Sequence, residues 1–228
     1  MTRFWAKAAA KKAELYIYDS IGADYFGDGI TAKSVADALK EFTPGADLDV
    51  YINSPGGSVF EGIAIFNQLE RWKGKKTVHI DGIAASIASV IAMVGDEIKI
   101  ADNGVIMIHS AWGMSMGNAD EMRKYAESLD KVDAVILNTY VKRTGGDEKQ
   151  IDKWMRSETW MSAEEATDRG FATGKTGEQA IKAEFPMLAK FQNTPDRLKR
   201  SANDPKVRLA RMEMRTKHLK RQPAGNPA

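Results

Sequence analysis

Short apolar, β-branched runs alternate along the chain with longer stretches whose apolar residues return at every third or fourth position. The short runs predict strands at 14–18, 48–52, 76–80, 97–100 and 105–109. The longer stretches predict helices. Residues 32–42 place Val35, Ala38 and Leu39 on one face with Thr31 as cap, and 59–72 do the same with Ile63, Phe66 and Leu69. Asn118 and Glu121 read as a capping box opening a long amphipathic helix. It carries Met122, Tyr125, Leu129, Val132 and Ile136 and ends near Arg143, stopped by Thr144-Gly-Gly146. A further helix follows at 147–155, then an extended segment at 158–161. Ser162 with Glu165 caps a short helix that Gly170 closes. Strands alternating with helices predict the α/β class, with a mostly parallel sheet under helical cover.

Both ends depart from this rhythm. Residues 1–13 read as a basic lead, 14–175 as the folded domain, and 176–228 as a basic tail, partly helical or disordered. The formal net charge of +2 divides unevenly: from Pro195 onward ten Lys and Arg stand against three Asp and Glu, leaving −5 on the rest. An acidic body is not the balance of a nucleic-acid enzyme, whereas the tail can meet an acidic partner. With no cysteine, disulfides, thiolate metal sites and a cysteine nucleophile are excluded, and three histidines make a histidine metal site unpromising. No metal or cofactor is expected. The longest apolar run, 83–94, is far shorter than the roughly 20 residues of a membrane span. The lysines near the N-terminus interrupt what a signal peptide needs, so the expectation is a cytoplasmic protein with no membrane partner.

Chemistry concentrates in residues 81–95, where a β-type run passes through Gly82 and two alanines into an apolar helical run opened by Ser86. A sharp strand-to-helix turn presents its first helical side chain beside unpaired helical N–H groups, which suits a serine nucleophile. The plain reading is a buried helix that uses small residues to pack. His109, at the end of an apolar strand, is the candidate base, and Glu158, in a polar break, could orient its imidazole. Asn53-Ser-Pro-Gly-Gly57 adds glycine N–H groups able to face an oxyanion. Each piece has a structural alternative: a satisfied strand histidine, a common turn composition, an ordinary surface carboxylate.

Four stretches together resemble the proteolytic subunit of the Clp protease family. They are Tyr51-Ile-Asn-Ser-Pro-Gly-Gly57, Gly82-Ile-Ala-Ala-Ser86, Met107-Ile-His109 and Trp160-Met-Ser-Ala-Glu-Glu-Ala166. The resemblance runs from about Glu14 to Gly174. It implies a repeated β-β-α superhelix of the type shared with crotonases, a protruding helical handle, and a serine endopeptidase working through an acyl-enzyme. It assigns Ser86 as nucleophile, His109 as base, the N–H groups of Gly56 and Ile87 as oxyanion donors, and Gly57 to the strand that holds substrate. The family usually carries aspartate where this chain has Glu158, so Asp152 stands in reserve for the third role. The resemblance also implies stacked homo-oligomeric rings, by default heptamers paired into a tetradecamer.

The wording from Glu158 to Ala166 and the basic tail are similar to the Clp-related head-maturation proteases of tailed bacteriophages. This implies a capsid or scaffold polypeptide as substrate, in the host cytoplasm or the prohead interior, and no ATPase. Two other readings remain open: a subunit working with an ATP-dependent unfoldase, and a crotonase-type enzyme holding an acyl-CoA enolate with an acidic base.

Overall fold

Alternation of buried and outward residues fixes the centre of the molecule. In β2 (Lys12–Ile17), β3 (Asp47–Ser54), β4 (Lys76–Ala85) and β5 (Glu97–Ala101), the residues Leu15, Ile17, Val50, Ile52, Val78, Ile80, Ile98 and Ile100 are buried. Each such side chain contributes about 1.5–3 kcal/mol on leaving water. The structure, a computed structural model, describes residues 4–8, 12–23, 29–177, 188, 190–196 and 198. It divides into two compact units, 1–183 and 184–228. In the second, the Thr194 hydroxyl donates to the carbonyl oxygens of Leu188 and Phe191. The helix expected through Val207, Ala210 and Met214, and much of the loop at 24–29, lie outside the described residues.

The four strands run parallel in the order β2-β3-β4-β5. On the opposite face from the core, Tyr16, Tyr51 and His79 stand in register and stack, with ring centroids 4.6 Å apart at each step. Beside them the buried Asp49 carboxylate lies 2.7 Å from the Lys12 ammonium.

Two strands extend the edges beyond expectation. The basic lead is not simply a lead: β1 (Phe4–Ala8) pairs antiparallel with β2, and Lys7 meets Glu14 at 3.3 Å. At the other edge β8 (Gly174–Thr176) pairs with β5.

The strand before Ser86 is ten residues long, against the five the pattern suggested. Its first part, Thr77 to Ile80, lies beside β5, and its second, Ile83 to Ala85, lies beside β6 (Val105–Ile108). Gly82, Ala84 and Ala85 are poor strand formers, so this extension comes from pairing on both sides rather than from propensity. β6 in turn pairs antiparallel with β7 (Thr159–Ser162).

Helices cover the core face. α1 (Ala32–Lys40) and α2 (Val59–Glu70) bury Val35, Ile65 and Leu69. α3 (Ile87–Ala92) is buried throughout, and α5 (Glu148–Arg156) and α6 (Ala163–Asp168) bury Ile151, Met155, Ala163 and Ala166. The 26 residues of α4 (Ala119–Thr144) begin at the expected Asn118–Glu121 capping box and end at left-handed Gly145. Of its apolar stripe only Ile136 and Tyr140 are buried, while Met122 is 43% exposed. At ~1.5 Å per residue the helix is roughly 39 Å long, so its first turns outrun the neighbours α3 and α5 that could cover them. Among the described residues no helix is long and apolar enough to cross a membrane.

Candidate active site

Strand register alone brings the candidate residues together. Ser54 pairs with Ala84, so two residues on, Gly56 comes level with Ser86. Ala85 pairs with Met107, and Ile108 pairs antiparallel with Thr159. One step beyond that last register lie His109 and Glu158. The cluster therefore forms where β3, β4 and β6 end, the position where parallel sheets place their ligands.

The backbone at Ser86 is unusual. Its φ of 55° and ψ of −131° match the first central residue of a type II′ turn, a place glycine normally takes. Ser86 holds the cap position of α3 but makes no side-chain cap hydrogen bond. Its hydroxyl is turned away from the helix, and Ser86 Oγ lies 2.7 Å from His109 Nε2. Its backbone is pinned at both ends. The Ser86 N–H donates to the Met107 carbonyl at 2.9 Å, and the Ser86 carbonyl accepts the Ser89 N–H at 2.9 Å and the Ser89 hydroxyl at 2.6 Å.

Gly56 closes the other side of the turn, at φ 86°. A Cβ there would come within 2.6 Å of the Ala85 carbonyl oxygen, 2.7 Å of Ser86 Cβ and 3.2 Å of the Ile87 nitrogen. Only a glycine leaves that space open. The Gly56 N–H donates to Ser54 Oγ at 3.2 Å, and that hydroxyl donates to the Asp19 carbonyl at 2.6 Å. Ile87 opens α3, so its N–H is one of the donors a helix start leaves unpaired. Gly57 lies against Ile21, and the N–H groups of Ile21 and Ser58 bond the Gly56 and Ile21 carbonyls at 2.9 and 2.8 Å, making the segment a short strand-like rail.

His109 is largely buried. Desolvation holds its imidazole below the ordinary value near 6.5, while Glu158 and then Asp133 pull it upward. A neutral imidazole facing a serine hydroxyl is a base ready to take a proton. Glu158 sits in left-handed backbone, φ 46°. Ser86 and Glu158 are the non-glycine residues with positive φ among the described residues, and such strain gathers at functional sites. The Met155 carbonyl accepts the N–H groups of both Glu158 (3.1 Å) and Ser110 (3.2 Å), which ties the carboxylate's segment to the imidazole's. One Glu158 oxygen accepts the Trp160 indole N–H at 3.2 Å. Asp152, by contrast, pairs with Arg156 at 2.8 Å one turn along α5 and is not among the charges acting on His109.

Three contributors escaped the sequence reading. Asp133 accepts the Ala111 N–H at 2.6 Å just beyond His109, and Ser89 and Tyr140 join behind Ser86 at 2.8 Å. The signal for Tyr140 was a hydroxyl-bearing residue four positions after Ile136, on the buried stripe. Among the described residues, no cluster of His, Cys, Asp or Glu could hold a metal ion.

A family model described as Clp protease matches residues 8–174. Over 160 residues the chain is 33% identical to the ATP-dependent Clp protease proteolytic subunit 1 of Chlamydia abortus, covering 66% of this chain and 83% of that protein. It is 35% identical over 130 residues to the ATP-dependent Clp protease proteolytic subunit of Ligilactobacillus salivarius, covering 56% and 66%. The corresponding protein of Oltmannsiellopsis viridis is 36% identical over 126 residues, covering 54% and 65%.

Proposed function

The chain belongs to the Clp protease family, and on that premise we propose that it is a serine endopeptidase with Ser86 as nucleophile, His109 as base and Glu158 as orienting carboxylate. The observation that carries this reading is the 2.7 Å contact between Ser86 Oγ and His109 Nε2, made by a serine in a strained turn. Ser86 Oγ attacks the scissile carbonyl carbon while its proton passes to His109 Nε2. The carbonyl oxygen becomes an oxyanion facing the N–H groups of Gly56 and Ile87. Collapse of this intermediate breaks the C–N bond, and the proton on His109 goes to the leaving amine, giving an acyl-enzyme. Water, deprotonated by the same imidazole, then releases the acid and restores Ser86. Glu158 stabilises the transient imidazolium and stays ionised throughout. The Gly56 N–H must exchange Ser54 Oγ for the oxyanion, a switch within one turn. Gly57 and the rail along Ile21 would hold the substrate backbone as an added strand.

A fluorophosphonate followed by peptide mapping tests the assignment. Label on Ser86, absent from Ser86→Ala, is expected; an unlabelled wild type, or label elsewhere, would sink it. Acyl-CoA binding without labelling would favour the crotonase-type chemistry instead.

At a finer level, the subunit would assemble into stacked rings with α4 as the handle between them. The exposed Trp112, Met114 and Met116 before α4 support an adaptable contact there. Sedimentation of a fully active monomer would refute the rings. The names of the relatives favour an ATP-dependent partner, whereas the basic stretch from Pro195 favours a capsid or scaffold substrate. Cutting the candidate scaffold protein without any ATPase would decide for the latter.

A further inference from the structure

Behind the nucleophile lies a pair of hydroxyls that the reaction itself does not use. Ser89, fully buried, has one hydroxyl proton, and it is donated to the Ser86 carbonyl at 2.6 Å. Its contact with the Tyr140 hydroxyl at 2.8 Å must then run the other way, with Tyr140 donating to Ser89 Oγ. The direction of both bonds follows from counting protons: Tyr140 O–H to Ser89 Oγ–H to Ser86 C=O. Tyr140 is itself 1% exposed, and burial keeps its phenol protonated far above its ordinary range. Water competes for neither hydroxyl. The chain thus links the long helix α4 to the one carbonyl whose orientation sets the Ser86 turn.

We infer that Tyr140 and Ser89 are positioning residues that hold Ser86 in its attacking conformation, an inference that rests on Ser86 being the nucleophile. A serine at positive φ returns to ordinary backbone unless its neighbours over-determine it. Two of the three backbone bonds at Ser86 come from Ser89, and the hydroxyl bond is the shorter. Tyr140 fixes the rotamer of that hydroxyl, because Ser89 Oγ keeps its acceptor lone pair toward α4 only while its proton points at Ser86. The same helix reaches the base segment seven residues earlier, where Asp133 accepts the Ala111 N–H. Two turns separate these residues, so one face of α4 braces both halves of the Ser86–His109 contact.

A purely structural pair behaves differently on replacement. Exchanging both partners of the buried Tyr140–Ser89 bond for apolar groups of similar shape can leave stability nearly unchanged, and the Ser86 carbonyl still keeps the Ser89 N–H as a donor. The deciding protein is therefore Ser89→Ala/Tyr140→Phe, in the full chain, compared with each single variant. The expected result is a melting temperature near wild type with kcat and the rate of Ser86 phosphonylation down about 10- to 100-fold, the scale of a small misplacement of reacting atoms. KM should hold. Tyr140→Phe should cost nothing further once Ser89→Ala is present, because the two act in series. Wild-type phosphonylation in the double variant, or losses that multiply across the singles, would overturn the relay. A crystal structure of the double variant separates this failure from that of the peptidase reading. Ser86 should leave φ near 55° and move beyond hydrogen-bond reach of His109. An unchanged turn refutes the relay whether or not Ser86 is the nucleophile, while an unlabelled wild type with a relaxed variant refutes the peptidase reading alone.

Discussion

Of the five helix starts with a serine, threonine or asparagine at the cap, one, Ser58, has relaxed backbone at φ −66° and makes no cap hydrogen bond, while the other four are put to opposite uses. Thr31, Asn118 and Ser162 have φ of −101°, −75° and −65°, and each closes a full capping box with Ser34, Glu121 or Glu165. Ser86 stands at φ 55°, caps nothing, and offers its hydroxyl to His109. The first three satisfy the donors of their own helix. The fourth forgoes a cap that is typically worth ~1 kcal/mol and carries backbone strain of about 1–3 kcal/mol. The same side-chain chemistry thus serves stability at the three boxed starts and, on the proposed reading, reactivity at Ser86, where the end of β4 is paired on both sides.

The sharpest way to break this comparison is at Ser86. Ser86→Ala and Ser86→Gly should each cut peptide hydrolysis by about 10⁴-fold or more. They should differ in stability, however. Glycine tolerates the turn and alanine does not, so Ser86→Gly should be the more stable of the two by about 1–2 kcal/mol in urea unfolding. Equal midpoints would mean that Ser86 carries no strain.

Glu158→Gln comes next, with turnover expected to fall about 10²- to 10⁴-fold and little change in melting temperature. The pH profile adds a sign. Burial holds the His109 imidazole below 6.5, so kcat/KM should fall on the acid side only beneath that value, as the base takes up a proton. Removing the Glu158 charge takes away an upward pull and should move that limb to lower pH. Asp152→Asn should leave both rate and limb alone; a severe loss there would transfer the carboxylate role to Asp152.

Gly56→Ala should follow at about 10²- to 10³-fold, because its Cβ would displace Ser86 and crowd the Ile87 N–H. Full activity would mean that the oxyanion lies elsewhere. The smallest effect belongs to an ordinary cap. Asn118→Ala should cost ~1 kcal/mol of stability and leave kcat unchanged, as measured by thermal unfolding beside a peptidase assay.

The relaxed helix starts were the most legible features of the sequence. Thr31, Asn118–Glu121 and Ser162–Glu165 announce themselves within four residues, because capping is local chemistry. The strands were legible where aliphatic residues alternate with other types, at 48–52 or 97–100, and misjudged where partners decide. Strand β1 and the second part of β4 exist because β2, β3 and β6 pair with them. At the candidate site, Ser86 and His109 were visible as residue types in suggestive places, and motif resemblance linked them across 23 positions. Neither the positive φ at Ser86 and Glu158 nor the hydroxyls of Ser89 and Tyr140 could be read, since each depends on contacts between segments far apart in the chain. Long helix α4 shows the same limit: its stripe was read correctly as apolar, but only its later turns meet anything that buries them.

The pairing of β6 with β7 also sets an order in time. A ribosome builds from the N-terminus, so Ser86 and His109 emerge about fifty residues before Glu158 and the strand that follows it. At ~5–20 residues per second, roughly 3–10 seconds pass with the proposed nucleophile and base made and their proposed carboxylate still unmade. A stalled nascent chain ending at Arg156 should therefore escape a phosphonate that labels the finished protein, and ready labelling would contradict this. Synthesis itself would act as the safety catch, keeping a newborn peptidase idle while it is still threaded among other unfinished polypeptides.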